Sequence, residues 1–168
     1  NKNGEKLEDS VTALIEAYID GELGRLGLEG DIPLASREKI GRIVDHVAGR
    51  NRYVAYLITL ASHSYKHLRI GLDSANGATF SIASALFGAL GAKIYQIGND
   101  PDGTNINLSC GSTHPERLCE LVRREHLDVG FAFDGDGDRC IAVDENGALV
   151  DGDGILYVLA KRLRARGM

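Results

Sequence analysis

Apolar side chains recur at three- and four-residue steps from Leu7 through Val11, Leu14 and Ile15 to Tyr18, which predicts one amphipathic helix over residues 7–20. The glycine-rich stretch DGELGRLGLEGDIPLAS follows, with Pro33 near its end, and reads as a linker. From Ser36 to about Ala61 a second helical stripe runs through Ile40, Ile43, Val44, Val47, Val54, Leu57 and Ile58, with Gly49 to Arg52 as its weak point. Beyond Leu68 the period changes. LRIGLD, AKIYQIG, DVGFAF and CIAVD are short apolar runs that predict four strands. Ala75 to Leu90 has small-residue helical character and stops at Gly91. Thr113, with Glu116 three residues on and Pro115 in the first turn, is a capping-box signature for a helix to about His126. Asp151 or Asp153 can cap a last helix through Leu163.

Strands alternating with helices predict a layered α/β sheet with right-handed crossovers. The segment 134–138 joins two strands too directly for a crossover helix, so that pair is expected to be antiparallel and the sheet mixed.

That joining segment carries the most distinctive chemistry. In FAFDGDGDRCIAVD, Asp134, Asp136 and Asp138 alternate with Gly135 and Gly137, and Arg139 follows at once. Like charges this close repel unless a cation sits among them. Three hard oxygen donors freed from side-chain bulk by glycine point to Mg²⁺ or Ca²⁺ and away from zinc. They leave coordination positions open for water and a phosphate oxygen. A solvated acidic turn is the plainer alternative. An EF-hand loop also puts acids at positions 1, 3 and 5, but Arg139 stands where its glycine belongs and strands flank the loop. A haloacid-type phosphatase would not carry the third acid, Asp138.

Composition narrows the rest. The chain has 168 residues, 43% hydrophobic and 26% charged, with a net charge of −5. That describes a globular protein able to bury a core, with no general affinity for nucleic acid or anionic membrane. No apolar run is long enough to span a membrane, and the first residues are unlike a signal peptide. Cys110, Cys119 and Cys140 have no metal-type spacing and read as reduced thiols of a cytoplasmic protein. With no initiator methionine and a helix starting almost at once, the chain reads as a segment of a longer protein.

DGDGDR between two strands resembles the metal loop of the α-D-phosphohexomutase superfamily. LDSANGAT (72–79), DPDGTNINLSCGSTHPERL (100–118) and VDGDGIL (150–156) extend the resemblance, which is strong from about 68 to 160. The loop at 100–118 resembles the branch acting on glucosamine phosphates, with glucose or mannose phosphate branches as the alternative. The resemblance implies a three-layer α/β/α fold with a mixed, mostly parallel four-stranded sheet, of the superfamily's domain-two type. Residues 1–34 would be the tail of a preceding domain and a linker, and 35–168 the metal-binding domain. It further implies Mg²⁺ held by Asp134, Asp136 and Asp138, and Arg139 in contact with a phosphate. The substrate would be a hexosamine phosphate, the partners the remaining domains of the same enzyme, and one expected assembly a homodimer of the full-length chain. Amino-sugar biosynthesis toward peptidoglycan precursors is the implied setting.

The family's chemistry runs from a phosphoserine through a bisphosphate intermediate, and its serine is not expected on this chain. Ser62, in ASHSYKH, lacks the Asn-Pro that should follow it. Asn76-Gly77 reads as a tight turn in preference to an anion cradle, His114 as part of a local cap, and Asp151 and Asp153 as helix caps. The general acid/base cannot be placed here, and an isolated chain is expected to be inactive. A metal-stabilised module with no chemistry of its own is the alternative from another class.

Overall fold

The computed structural model describes residues 1–22, 24, 27, 34–42, 44 and 46–167. Much of the expected linker, residues 20–36, therefore lies outside the described residues. The chain divides into two compact units, 1–45 and 46–168.

The first unit contains helix α1 (Asp9–Ile19), as the periodicity predicts, and a short 3₁₀ turn at Arg37–Lys39. Ala17 is buried, whereas Leu14 and Ile15 remain nearly half exposed. The single helix expected over 36–61 is not formed. Ile40 is already extended, at φ −64° and ψ 127°, and the helix proper is α2 (Val47–Leu60). Gly49 to Arg52, the expected weak point, lie inside it. Ile40 and Val44 are 61% and 78% exposed. An apolar stripe without a surface to bury against gives an isolated helix little support.

The second unit continues through β1 (Arg69–Asp73), α3 (Phe80–Ala89), β2 (Lys93–Ile97), α4 (Glu116–Glu125), β3 (Val129–Phe133), β4 (Cys140–Val143), β5 (Leu149–Val150) and α5 (Gly152–Ala165). These strands form one sheet in the order β2-β1-β3-β4-β5. β1 pairs in parallel with β2 and β3, while β3–β4 and β4–β5 are antiparallel. Five strands replace the expected four, and the pairings are evenly mixed. The added strand has two residues, too few to show a period.

Strand alternation divides the core between two faces. Ile70, Leu72, Phe131 and Phe133 point to the α3 side, where Phe87 stacks on Phe131 at 5.7 Å between ring centroids. Ala132 and Val143 point to the α4 side and meet Leu118, Leu121, Val122 and Leu127. A methyl group on Gly71 or Gly130 would press into Leu118, so these strand glycines let α4 approach the sheet. Helices on both faces give the α/β/α layering.

The Thr113–Glu116 capping box is not made. Pro115 occupies the N-cap of α4 without a side-chain cap, and Thr113 is exposed. A tight turn from the His114 N–H to the Gly111 carbonyl carries the chain into Pro115 instead. At α5 the expected cap is present: Asp151 Oδ1 accepts from the Gly154 N–H at 2.9 Å.

Candidate metal centre

Strands β1, β2 and β3 are parallel, so their carboxyl ends share one edge of the sheet, the usual place for ligand sites in open α/β sheets. The acidic loop leaves β3 at this edge and returns as β4, with Phe133 opposite Cys140. Gly137, at φ +77°, donates its N–H to the Asp134 carbonyl at 3.1 Å, which folds the loop back on itself. One carboxylate oxygen from each of Asp134, Asp136 and Asp138 then lies within 4.8 Å of the others. Asp134 is buried at the base, and its two partners are exposed.

Arg139 braces that base. Its backbone N–H donates to Asp134 Oδ1 and its Nε to Oδ2, both at 3.0 Å, with Asp138 Oδ1 3.7 Å from the same Nε. Its side chain is still 72% exposed. The Arg139 backbone N–H is the main reason the Asp134 carboxyl sits below its ordinary range. Asp138 is pushed the other way, chiefly by the charge on Asp136 and then by that on Asp134. A dication among the three would relieve that repulsion. Three carboxylates of this arrangement fit a hard, oxygen-preferring cation.

The remaining candidates lie on other segments of the chain. Ala75 and Asn76 have left-handed φ values of 52° and 50°, and the Gly77 N–H donates to the Ser74 carbonyl at 2.8 Å, a tight turn. His114 is exposed on the turn before α4, and Ser62 is exposed just after α2.

Asp73 is one residue that sequence reasoning missed. It ends β1 fully buried, and its two oxygens accept from the Ala75 N–H at 3.0 Å and the Gly111 N–H at 2.8 Å. An acid closing the apolar run Ile70–Leu72 of β1 was the available signal. Asp73 thus ties the loop before α4 to the end of β1. Burial raises its pKa, outweighing the two N–H donors. Asp73→Asn keeps the shape but loses one acceptor, an expected cost of about 1–3 kcal/mol in chemical denaturation. The wild-type carboxyl holds its proton more tightly folded than unfolded. Its contribution is therefore fully present below about pH 3.9 and declines as pH rises through the raised value. The cost of Asp73→Asn is expected to shrink with rising pH, and a cost that grows would contradict the burial argument.

A sheet layered by helices, with three aspartates converging beyond the carboxyl end of a parallel strand, defines the class as an α/β/α domain with a candidate metal centre. The family described as phosphoglucomutase/phosphomannomutase, α/β/α domain II, matches residues 51–147, and the chain belongs to that family. The phosphoglucosamine mutase of Lachnospira eligens is 57% identical over 166 residues, covering 99% of this chain and 36% of that protein. The phosphoglucosamine mutase of Lachnoclostridium phytofermentans is 51% identical over 167 residues, with the same coverage. The crystal structure of a phosphoglucomutase/phosphomannomutase family protein from Burkholderia thailandensis matches with a TM-score of 0.60 at 29% identity, over 70% of this chain and 26% of that one. This chain thus spans 36% of the length of those curated relatives.

Proposed function

We propose that this chain is the Mg²⁺-binding domain of a phosphoglucosamine mutase. The longer enzyme interconverts glucosamine 6-phosphate and glucosamine 1-phosphate by phosphoryl transfer through a phosphoserine and a bisphosphate intermediate. Residues 1–34 belong to the preceding domain and linker, and 35–168 form the metal-binding domain. One observation carries the reading: three aspartates converge on an arginine-braced loop at the ligand edge of the sheet. Its support from kinship is the 57% identity to a phosphoglucosamine mutase.

In this reading Asp134, Asp136 and Asp138 hold Mg²⁺, which supplies Lewis-acid stabilisation of negative charge on a phosphoryl group. Asp134 is held ionised by its donors and keeps the loop closed at its base. Arg139 spends its Nε on Asp134, and the exposed remainder of its fork is available to orient a phosphate. The serine and the sugar-holding surfaces lie on the enzyme's other domains, in the cytoplasm.

The test uses the longer protein that contains this chain, with kcat/KM measured for glucosamine 1-phosphate and glucose 1-phosphate in a coupled assay. A preference for the glucosamine compound is expected, and a clear preference for glucose 1-phosphate would overturn the substrate assignment. The 168-residue chain, given Mg²⁺ and glucose 1,6-bisphosphate, is expected to show no turnover. Turnover comparable to the longer enzyme would place the chemistry within these residues.

A further inference from the structure

We infer that Gly77 and Asn107 are positioning residues for the cation loop, closing on Gly135 from two separate loops and so setting where Asp134 and Asp136 stand. The inference rests on the metal reading above and adds residues outside the liganding motif.

The first jaw is the turn after β1. The Ala78 N–H donates to the Gly135 carbonyl at 2.8 Å. This hydrogen bond draws the two loops so close that a Cβ on Gly77 would collide with the Gly135 carbonyl oxygen and lie 2.6 Å from its Cα. Gly77 does not have a left-handed φ, so close approach, and not conformational freedom, is what demands glycine here.

The second jaw comes from the long loop after β2. The Asn107 N–H donates to the Ala75 carbonyl at 2.9 Å, fixing that loop to the first turn. A Cβ on Gly135 would lie 2.7 Å from Asn107 Nδ2 and 2.7 Å from Ile106 Cδ1. Gly135 therefore sits in a slot one backbone thick. Further along, a Cβ on Gly137 would lie 2.6 Å from Thr79 Cγ2, so the same turn also faces the second loop glycine.

Gly135 is the peptide link between the first two aspartates. Displacing it changes where their carboxylates stand relative to one another and to Asp138, and cation affinity depends on that relative placement. The clamp does for this loop what hydrogen-bonded neighbours do for metal-binding side chains elsewhere.

The experiment is a Mg²⁺ titration of the 168-residue chain, followed by the amide NMR shifts of Gly135 and Gly137, with thermal unfolding measured in parallel. Wild type, Asp136→Ala, Gly77→Ala and Asn107→Gly are compared. Glycine at 107 keeps the left-handed φ of 57° while removing the amide from the slot. Gly77→Ala and Asn107→Gly are each expected to weaken Mg²⁺ about tenfold or more while remaining folded. A contact that served stability alone would lower the melting temperature and leave the affinity of the folded chain unchanged. Wild-type affinity in both variants, with affinity lost in Asp136→Ala, overturns this inference and leaves the metal reading standing. If Gly77→Ala fails to fold, wild-type affinity in Asn107→Gly overturns it by itself. A wild-type chain that binds no Mg²⁺ overturns both.

Discussion

Asp136→Ala is expected to lower Mg²⁺ affinity by roughly a hundredfold or more, since it removes one of three charged ligands and affinity follows ligand charge. The fold is expected to be untouched. Asp136 is exposed, and its charge is the largest cause of the raised pKa of Asp138. Removing it relieves repulsion in the cation-free loop, so the melting temperature without metal should stay level or rise. Adding Mg²⁺ should then stabilise wild type and not the variant, because a ligand that binds only the folded state shifts unfolding by mass action. Equal affinity in the two proteins would sink the metal assignment. Asp136→Asn retains an oxygen donor without the charge and is expected to fall between them.

Leu118→Ala, in contrast, is expected to destabilise the second unit by about 2–5 kcal/mol, measured by urea unfolding. Leu118 on α4 is fully buried and belongs to the cluster with Val122, Leu127, Ala132 and Val143. It also lies against the strand glycines Gly71 and Gly130, whose bare backbone offers nothing that could swing into the space vacated. The cavity would therefore persist, and the cost belongs toward the upper part of that range. Mg²⁺ affinity of the folded fraction should be unchanged, since Leu118 belongs to the core cluster under α4 and not to the acidic loop. A cost below about 1 kcal/mol would mean that α4 relaxes onto the sheet, contrary to the tight approach the glycines allow.

Much of the α/β part was legible because its signals are local. Four apolar runs became β1 to β4, and the direct connection at 134–138 identified the antiparallel pair before any contact was known. Asp134, Asp136 and Asp138 converge through a turn their own glycines permit. Expectations failed where packing or a neighbouring turn overruled local pattern. Thr113 and Glu116 have the spacing of a capping box, yet the Gly111–His114 turn puts Pro115 at the N-cap. The apolar period across 36–61 is real, but Ile40 and Val44 stay exposed and the helix waits until Val47. β5 exists only because β4 offers it an edge to pair with.

By itself the sequence determined the strand and helix order of the second unit and the chemical identity of its acidic loop. Both depend on residues within a few positions of one another, where backbone geometry alone decides which side chains meet. Tertiary structure decided what surrounds that loop. Asp73 reaches Gly111 across 38 positions of sequence to hold the loop before α4. Gly77 and Asn107 meet at Gly135 only because the parallel pairing of β1 with β2 and β3 brings three separate loops to one edge of the sheet. Such contacts have no period and no spacing. They follow from which strands lie side by side, and that is settled by burying Ile70, Leu72 and Ala132 between helices on both faces.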